Sequence, residues 1–332
     1  MKFRARLIAV LSAIIGTALF VYVLAQTGAS EIRRNVSNLG AGFLIILLIS
    51  SIRYLARSYA WLRCTAVGER SGERAVGFSA LLRARIAGEA IGDLTFGPVV
   101  AEPMRIVALG NRLSVSSGVS SLAVEHISYA LTSSLMVAAG SILLLAGIGL
   151  SGSLRTAMII ALLMVLSVIL VFVLLIWRRV RLGSMLLGRL LNKNLKTAFS
   201  GRIAYLSQLE DYVFDFFSTR PKDFFLLIAS HAVFHFAGIL EIYATLKLIG
   251  TDISLTNAFI LESVNRTINI MFTFVPALIG VDEAGSGLVA ASLGIGATAG
   301  VSLAIIRKIR MFFWIALGLI FLFTRNDSKS KS

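Results

Sequence analysis

Cysteine occurs once in 332 residues, at Cys64, so neither an internal disulfide nor a cysteine metal site can form within one chain. Proline occurs four times and histidine three times. So few prolines leave long stretches free to run as unbroken helix, and each proline that does occur marks a place where a helix must start, stop or bend. A Walker loop and a dinucleotide-type glycine pattern are both missing, which argues against ATP-driven pumping by this chain alone. Acidic residues are scarce, 17 against 32 lysines and arginines, for a formal net charge of +15.

Hydrophobic residues, by contrast, make up 57% of the chain, and whole runs such as 42–50 and 158–177 carry no charge. The mean hydropathy is +0.86. A soluble domain could not bury so many continuous apolar segments, and the expected fold is an all-α polytopic membrane protein. The basic excess collects between the apolar segments. Topology and contact with anionic lipid headgroups explain it there, so no nucleic-acid partner and no cofactor are expected.

Apolar spans are expected at about 7–25, 40–61, 121–147, 157–177 and 223–246, followed by a less regular region at about 256–324. The first resembles a signal peptide, but no small-residue cleavage site follows it, and it is read as a retained helix. Arg63, Arg70, Arg74, Arg83 and Arg85 follow the second span, and Arg178, Arg179, Arg181, Arg189, Lys193, Lys196 and Arg202 follow the fourth. The other side carries few bases, which places both termini in the cytoplasm with an even number of crossings. The region 256–324 divides either into three full crossings, giving eight, or into a re-entrant pair over 256–302 plus one crossing, giving six. The basic, leucine- and phenylalanine-containing stretch 180–220 is expected either to lie along the inner interface or to form a helical hairpin on the bundle. No loop between spans is long enough for a soluble catalytic domain, so 1–332 is read as one membrane domain.

Charge inside apolar stretches is costly and marks function. It is concentrated in two segments. The first, 79–110, holds Arg85, Glu89, Asp93, Phe96, Gly97, Pro98, Glu102, Pro103 and Arg105. Arg85, Glu89 and Asp93 fall four apart and share a helical face, and Gly97-Pro98 ends that helix. The second, 256–302, repeats the plan with Glu262, Asn265, Arg266, Asn269, Phe274, Pro276, Gly280, Asp282 and Glu283, and Arg307, Lys308 and Arg310 add positive charge beyond it. Paired discontinuous helices of this kind are consistent with an inverted repeat around a central site. Breaks expose amides that attract an anion, and arginine can grip a phosphate with two hydrogen bonds. The plainer reading is that Arg85 with Glu89 and Glu262 with Arg266 are neutralising pairs that hold the bundle together. His231 and His235, also four apart, lack a third ligand, so no metal site is expected. Gly294, Gly296, Ala297, Ala299 and Gly300 are expected to let helices approach closely.

The stretch FTFVPALIGVDEAG, with Pro276, Gly280, Val281 and Glu283, resembles the P-x-x-x-G-V-x-E signature of the integral membrane region of the lysylphosphatidylglycerol synthase and flippase family. TFGPVVAEPMRIVAL, with Pro98, Glu102 and Arg105, is similar to that family's first block, and Arg307 falls where the family keeps a basic residue. The likeness runs from about residue 5 to about residue 324. The chain departs from the pattern at Val281-Asp282, which stands in place of a more glycine-rich turn. The resemblance implies movement of a polar or charged lipid between leaflets of a bacterial inner membrane. The family's best known members add a cytosolic aminoacyl-transferase domain. This sequence stops at Ser332 without one, so synthase activity is not carried over.

The resulting expectation is a lipid translocase with no catalytic residue. Arg105, Arg266 and Arg307 would contact an anionic headgroup, and Glu102, Glu262 and Glu283 would order those arginines or exchange protons. Glu262, Asp282 and Glu283 are the expected proton carriers. The alternative is an accessory membrane protein that binds lipid, or supports a lipid biosynthetic enzyme, without transport. A membrane phospholipid or other polar lipid is the expected partner, with a homo-oligomer or a biosynthetic enzyme as the candidate protein partners.

Overall fold

The computed structural model describes residues 17–26, 28–65, 76–95, 97–147, 152–190, 200–272 and 275–326. Phe96, Phe274, Arg70, Arg74, Lys193 and Lys196 lie outside them. The described residues are all-helical, with no strand. The helices are α1 (Thr17–Gln26), α2 (Ala29–Leu39), α3 (Gly42–Thr65), α4 (Phe78–Asp93), α5 (Pro98–Leu109), α6 (Val115–Gly147) and α7 (Gly152–Trp177). There follow α8 (Leu182–Leu190), α9 (Ser200–Thr219), α10 (Pro221–Leu248), α11 (Leu255–Met271), α12 (Val281–Ser292) and α13 (Ala297–Asn326).

Among the described residues, α3, α6 and α10 are each long and apolar enough to cross a membrane, and α7, turning by 93° into α8, is a further candidate. At about 1.5 Å per residue the 24 residues of α3 exceed the hydrocarbon thickness of a bilayer. The outer faces are apolar too: α7 exposes Leu163, Met164, Leu170 and Val171, and α13 exposes Phe312, Phe313 and Ile320. In water such faces would be a liability, whereas in lipid they cost nothing.

Local chemistry sets several helix ends. Pro221 and Asp223 open α10, where the missing amide hydrogen is no loss and the carboxylate meets the positive helix end. The Ser254 hydroxyl accepts the Asn257 amide at 3.1 Å and starts α11. On one end of the bundle, α9 buries Val213 and Phe216 in a cluster with Trp61, Leu81, Leu122 and Leu227. Glu210 of α9 accepts the Gly183 amide at 2.7 Å and the Ser184 hydroxyl at 2.6 Å, fastening the start of α8 to α9.

Two helix pairs stand apart from the long helices. In each, a charged helix, a break and a 12-residue helix follow in order: α4 and α5, then α11 and α12. The first pair is packed so tightly that a Cβ on Gly88 would lie 2.4 Å from Arg105 Cγ and 2.8 Å from the Ala101 carbonyl oxygen. α13 lies against α12 and against α4, and thereby joins the two pairs. Gly300 supports the first of these contacts, since a Cβ there would meet the Ser286 carbonyl oxygen at 2.2 Å. Gly294 and Gly296 do not serve helix contact: nothing lies within 4 Å of a Cβ at either. Their φ values of 74° and 98° instead turn the chain between α12 and α13.

Candidate functional site

The two breaks are built differently from the same problem, an interrupted helix inside an apolar bundle. At the first, the Thr95 and Gly97 amides both return to the Gly92 carbonyl, at 3.0 and 2.9 Å, closing α4 before Gly97 turns at φ 55° and Pro98 opens α5. At the second, a short 3-10 turn over Pro276–Leu278 leads to Gly280 at φ 81°. There the Glu283 carboxylate accepts the Gly280 amide at 2.8 Å, capping α12 with its own third residue. Glycine is required at both turns because φ 55° with ψ −132° at Gly97 and φ 81° with ψ −39° at Gly280 lie outside even the left-handed region that other residues can enter.

Between the breaks lies a cavity of about 530 Å³. Arg85, Glu89, Asp93, Glu102 and Arg105 of the first pair line it, together with Asn265, Arg266, Asn269 and Asp282 of the second and Arg307 of α13. Glu262, Pro276, Gly280 and Glu283 are off its wall: Glu262 and Glu283 sit behind it and the other two shape the break. Pro98 is the first residue of α5. Arg53, Tyr54 and Arg57 of α3, His126 and Tyr129 of α6, Phe234 of α10 and Lys308 and Arg310 of α13 complete the lining used below.

The charges form two networks. In the first, Glu125 accepts Arg57 through both oxygens, at 2.9 and 3.0 Å, and lies 3.1 Å from Arg85. Arg85 reaches Glu89 at 3.5 Å, Arg105 bonds Glu89 at 2.9 Å and also bonds Glu102, and His126 lies between Glu102 and Glu125. In the second, Arg266 bonds Glu262 on its own helix, Arg307 bonds Asp282 at 3.2 Å, and Lys308 lies 2.8 Å from Glu283. Glu241 on α10 extends the second network by taking Arg310 and Arg53, the latter at 2.9 Å, and Arg53 also lies 3.8 Å from Glu262.

Position within the wall matters as much as pairing. Glu125, Glu262 and Glu283 are 1% exposed or less, so these carboxylates stand behind the arginines. The cavity side carries Arg53, Arg57, Arg85, Arg105, Arg266, Arg307, Lys308 and Arg310 against Glu89, Asp93, Glu102 and Asp282. Buried charge of this kind must be paired and hydrogen-bonded, and the acids behind the wall do that. They leave donors over. Arg307 Nε and Nη2, Arg105 Nε and Arg310 Nε have no hydrogen-bond acceptor among the described residues. These four atoms are also shut off from solvent, so they meet water or an anionic oxygen only when the side chains shift.

Aromatic rings tie the networks together. The Arg57 guanidinium lies 4.1 Å over the Tyr129 ring, and the Tyr129 hydroxyl accepts Arg266 at 2.9 Å. The Phe234 ring takes the guanidiniums of both Arg53, at 4.7 Å, and Arg266, at 4.8 Å. His231 and His235 pack beside Tyr129, with His235 Nε2 3.2 Å from the Thr132 hydroxyl. Among the described residues no group of three or more His, Cys, Asp or Glu could hold a metal.

The second pair's bases divide: Arg307 and Lys308 serve the second network, whereas Arg310 crosses to Glu241. Sequence reasoning passed over Arg53, Arg57, Tyr129 and Glu241 as site residues. For the two arginines the signal was legible, since they stand four apart inside an apolar span. For Tyr129 it was not, because a tyrosine in an apolar helix has no distinguishing pattern.

Helical spans, breaks joined across a bundle and a cavity walled by paired arginines define a polytopic membrane protein rather than a soluble enzyme. The chain belongs to the family described as "Lysylphosphatidylglycerol synthase TM region", which matches residues 8–318. The match is to the transmembrane region of such synthases. No curated protein and no solved structure gives a significant match.

Proposed function

We propose that this chain moves a polar lipid bearing a negatively charged group between the leaflets of a bacterial inner membrane. One observation carries the reading: two interrupted helix pairs from distant parts of the chain meet in a cavity whose wall carries eight arginines and lysines against four carboxylates. Phosphate oxygens would accept from Arg307 and Arg105, and the acyl chains would stay in the surrounding lipid, where they lose nothing. As the headgroup passes, its phosphate competes with the carboxylates for the same guanidiniums, so no arginine is left bare at any stage.

In this reading α1, α3, α6, α7, α10 and α13 are the six crossings. The two helix pairs enter from opposite sides as corresponding halves of an inverted repeat, and both termini are cytoplasmic.

The test uses the purified chain in vesicles of phosphatidylethanolamine and phosphatidylglycerol with a trace of fluorescent phosphatidylglycerol, read by quenching of the outer leaflet. Wild-type protein should render inner-leaflet probe accessible. Arg307→Gln should lower the rate by about tenfold or more, the worth of one charged hydrogen bond. Its melting temperature should change little, because Asp282 keeps Lys308. Absence of wild-type flux would leave the accessory role, lipid binding without movement.

A further inference from the structure

Among the described acidic residues, Asp93 alone has neither an ion pair nor a hydrogen bond. Every other one is engaged, from Glu31 with Arg34 at one surface, through Glu210 at the α8 start, to Asp282 and Glu283 in the second network. Asp93 is no surface residue, because it lies on the cavity wall as the last residue of α4.

The groups facing it are Glu89 on its own helix, Tyr54 on α3, Arg105 on α5 and Arg310 on α13. Both arginines are committed, Arg105 to Glu89 and Glu102 and Arg310 to Glu241. α4 also ends at this residue, and the carbonyl end of a helix is the pole where a carboxylate is least welcome. Glu89, one turn earlier, repels it further. By contrast Glu262, Asp282 and Glu283 each hold a cation, which protonation would leave uncompensated in a buried place. Asp93 can gain or lose a proton without breaking any pair.

We propose that Asp93 is the proton-coupling site of the cavity, taking up and releasing one proton per transport cycle so that a pH gradient drives lipid movement. Charged, Asp93 offers Arg310 a second carboxylate in competition with Glu241, which draws α13 from α10 toward α4. Protonated, it leaves Arg310 on Glu241. One carboxyl thereby selects between two positions of the helix that joins both broken pairs. This inference rests on the translocation reading and adds its energy source.

The full chain in the vesicles described above, with fluorescent phosphatidylglycerol as probe, provides the test when a pH difference is imposed across the membrane. The wild-type rate should rise several-fold over its gradient-free value, and a proton–potassium exchanging ionophore should abolish the rise. Asp93→Asn should remove the difference between rates with and without the gradient, and Asp93→Glu should restore it. Wild-type flux indifferent to the gradient, or a response that persists in Asp93→Asn, overturns the coupling role and leaves translocation standing. Absence of wild-type flux under every gradient removes both. If Asp93→Asn does not fold, the wild-type chain still decides. A hydrophobic carbodiimide, which attacks protonated carboxyls, should label Asp93 and spare Glu262, Asp282 and Glu283, and labelling of those three with Asp93 bare overturns the proposal.

Discussion

The two broken helix pairs solve one problem with different means. Around α4–α5 the ion pairs cross between helices: Glu125 on α6 holds arginines from α3 and α4, and Arg105 of α5 spans Glu89 and Glu102. Around α11–α12 the pairing is closer to home, with Glu262 and Arg266 on one helix and Glu283 closing its own N-terminus. At the first break the Thr95 and Gly97 amides close on the Gly92 carbonyl and the described residue at positive φ is a glycine, Gly97, whereas the second places the non-glycine residues Ala277 and Leu278 at φ 51°. Backbone strain of that kind persists only where surrounding structure imposes it, and it gathers at parts that change shape.

The largest effect expected from this contrast concerns the central acids. Glu125→Ala leaves Arg57 and Arg85 with only Glu89, at 3.9 and 3.5 Å and already bonded to Arg105, and should destabilise the protein by about 3–5 kcal/mol. Glu262→Ala should cost less, because Arg266 retains Tyr129. Thermal unfolding in detergent compares the two, and equal losses would break the distinction between a cross-linked and a local network.

The breaks themselves should respond with opposite signs. Gly97→Ala forces a side chain into a conformation that only glycine takes readily and should cost about 1–3 kcal/mol. Ala277→Gly relieves strain and should stabilise by about 1 kcal/mol, net of the extra freedom of the unfolded chain. A destabilised Ala277→Gly protein would show that the second break is not strained in the manner described.

A smaller change should follow at the link. Tyr129→Phe removes the hydroxyl that accepts Arg266 but keeps the ring under Arg57, and should cost about 1–2 kcal/mol. A double-mutant cycle with Glu125→Ala measures whether the two networks communicate: additive losses would mean that Tyr129 is packing and no more.

Much of this architecture was legible along the chain. Continuous apolar runs became α3, α6, α7 and α10 because a backbone in hydrocarbon must satisfy its own hydrogen bonds, and a helix does so without a partner. The breaks were legible for the complementary reason, since Gly97-Pro98 and Pro276 to Gly280 cannot continue a helix. Charges four apart, as in Glu262 with Arg266, follow from helical periodicity alone.

Which arginine answers which acid was another matter. Arg57 and Glu125 are 68 residues apart, and Arg53 and Glu241 are 188 apart. Nothing in the local pattern distinguishes Glu241 from Glu262 as the partner of Arg310. Periodicity places a side chain on a face of its own helix and is silent on which helix that face will meet. The composition therefore dictated a helical membrane chain with two interruptions, whereas the cavity, its arginine wall and the isolation of Asp93 arose only when α13 packed against both α4 and α12, because pairing across a bundle depends on distances that chain order does not contain.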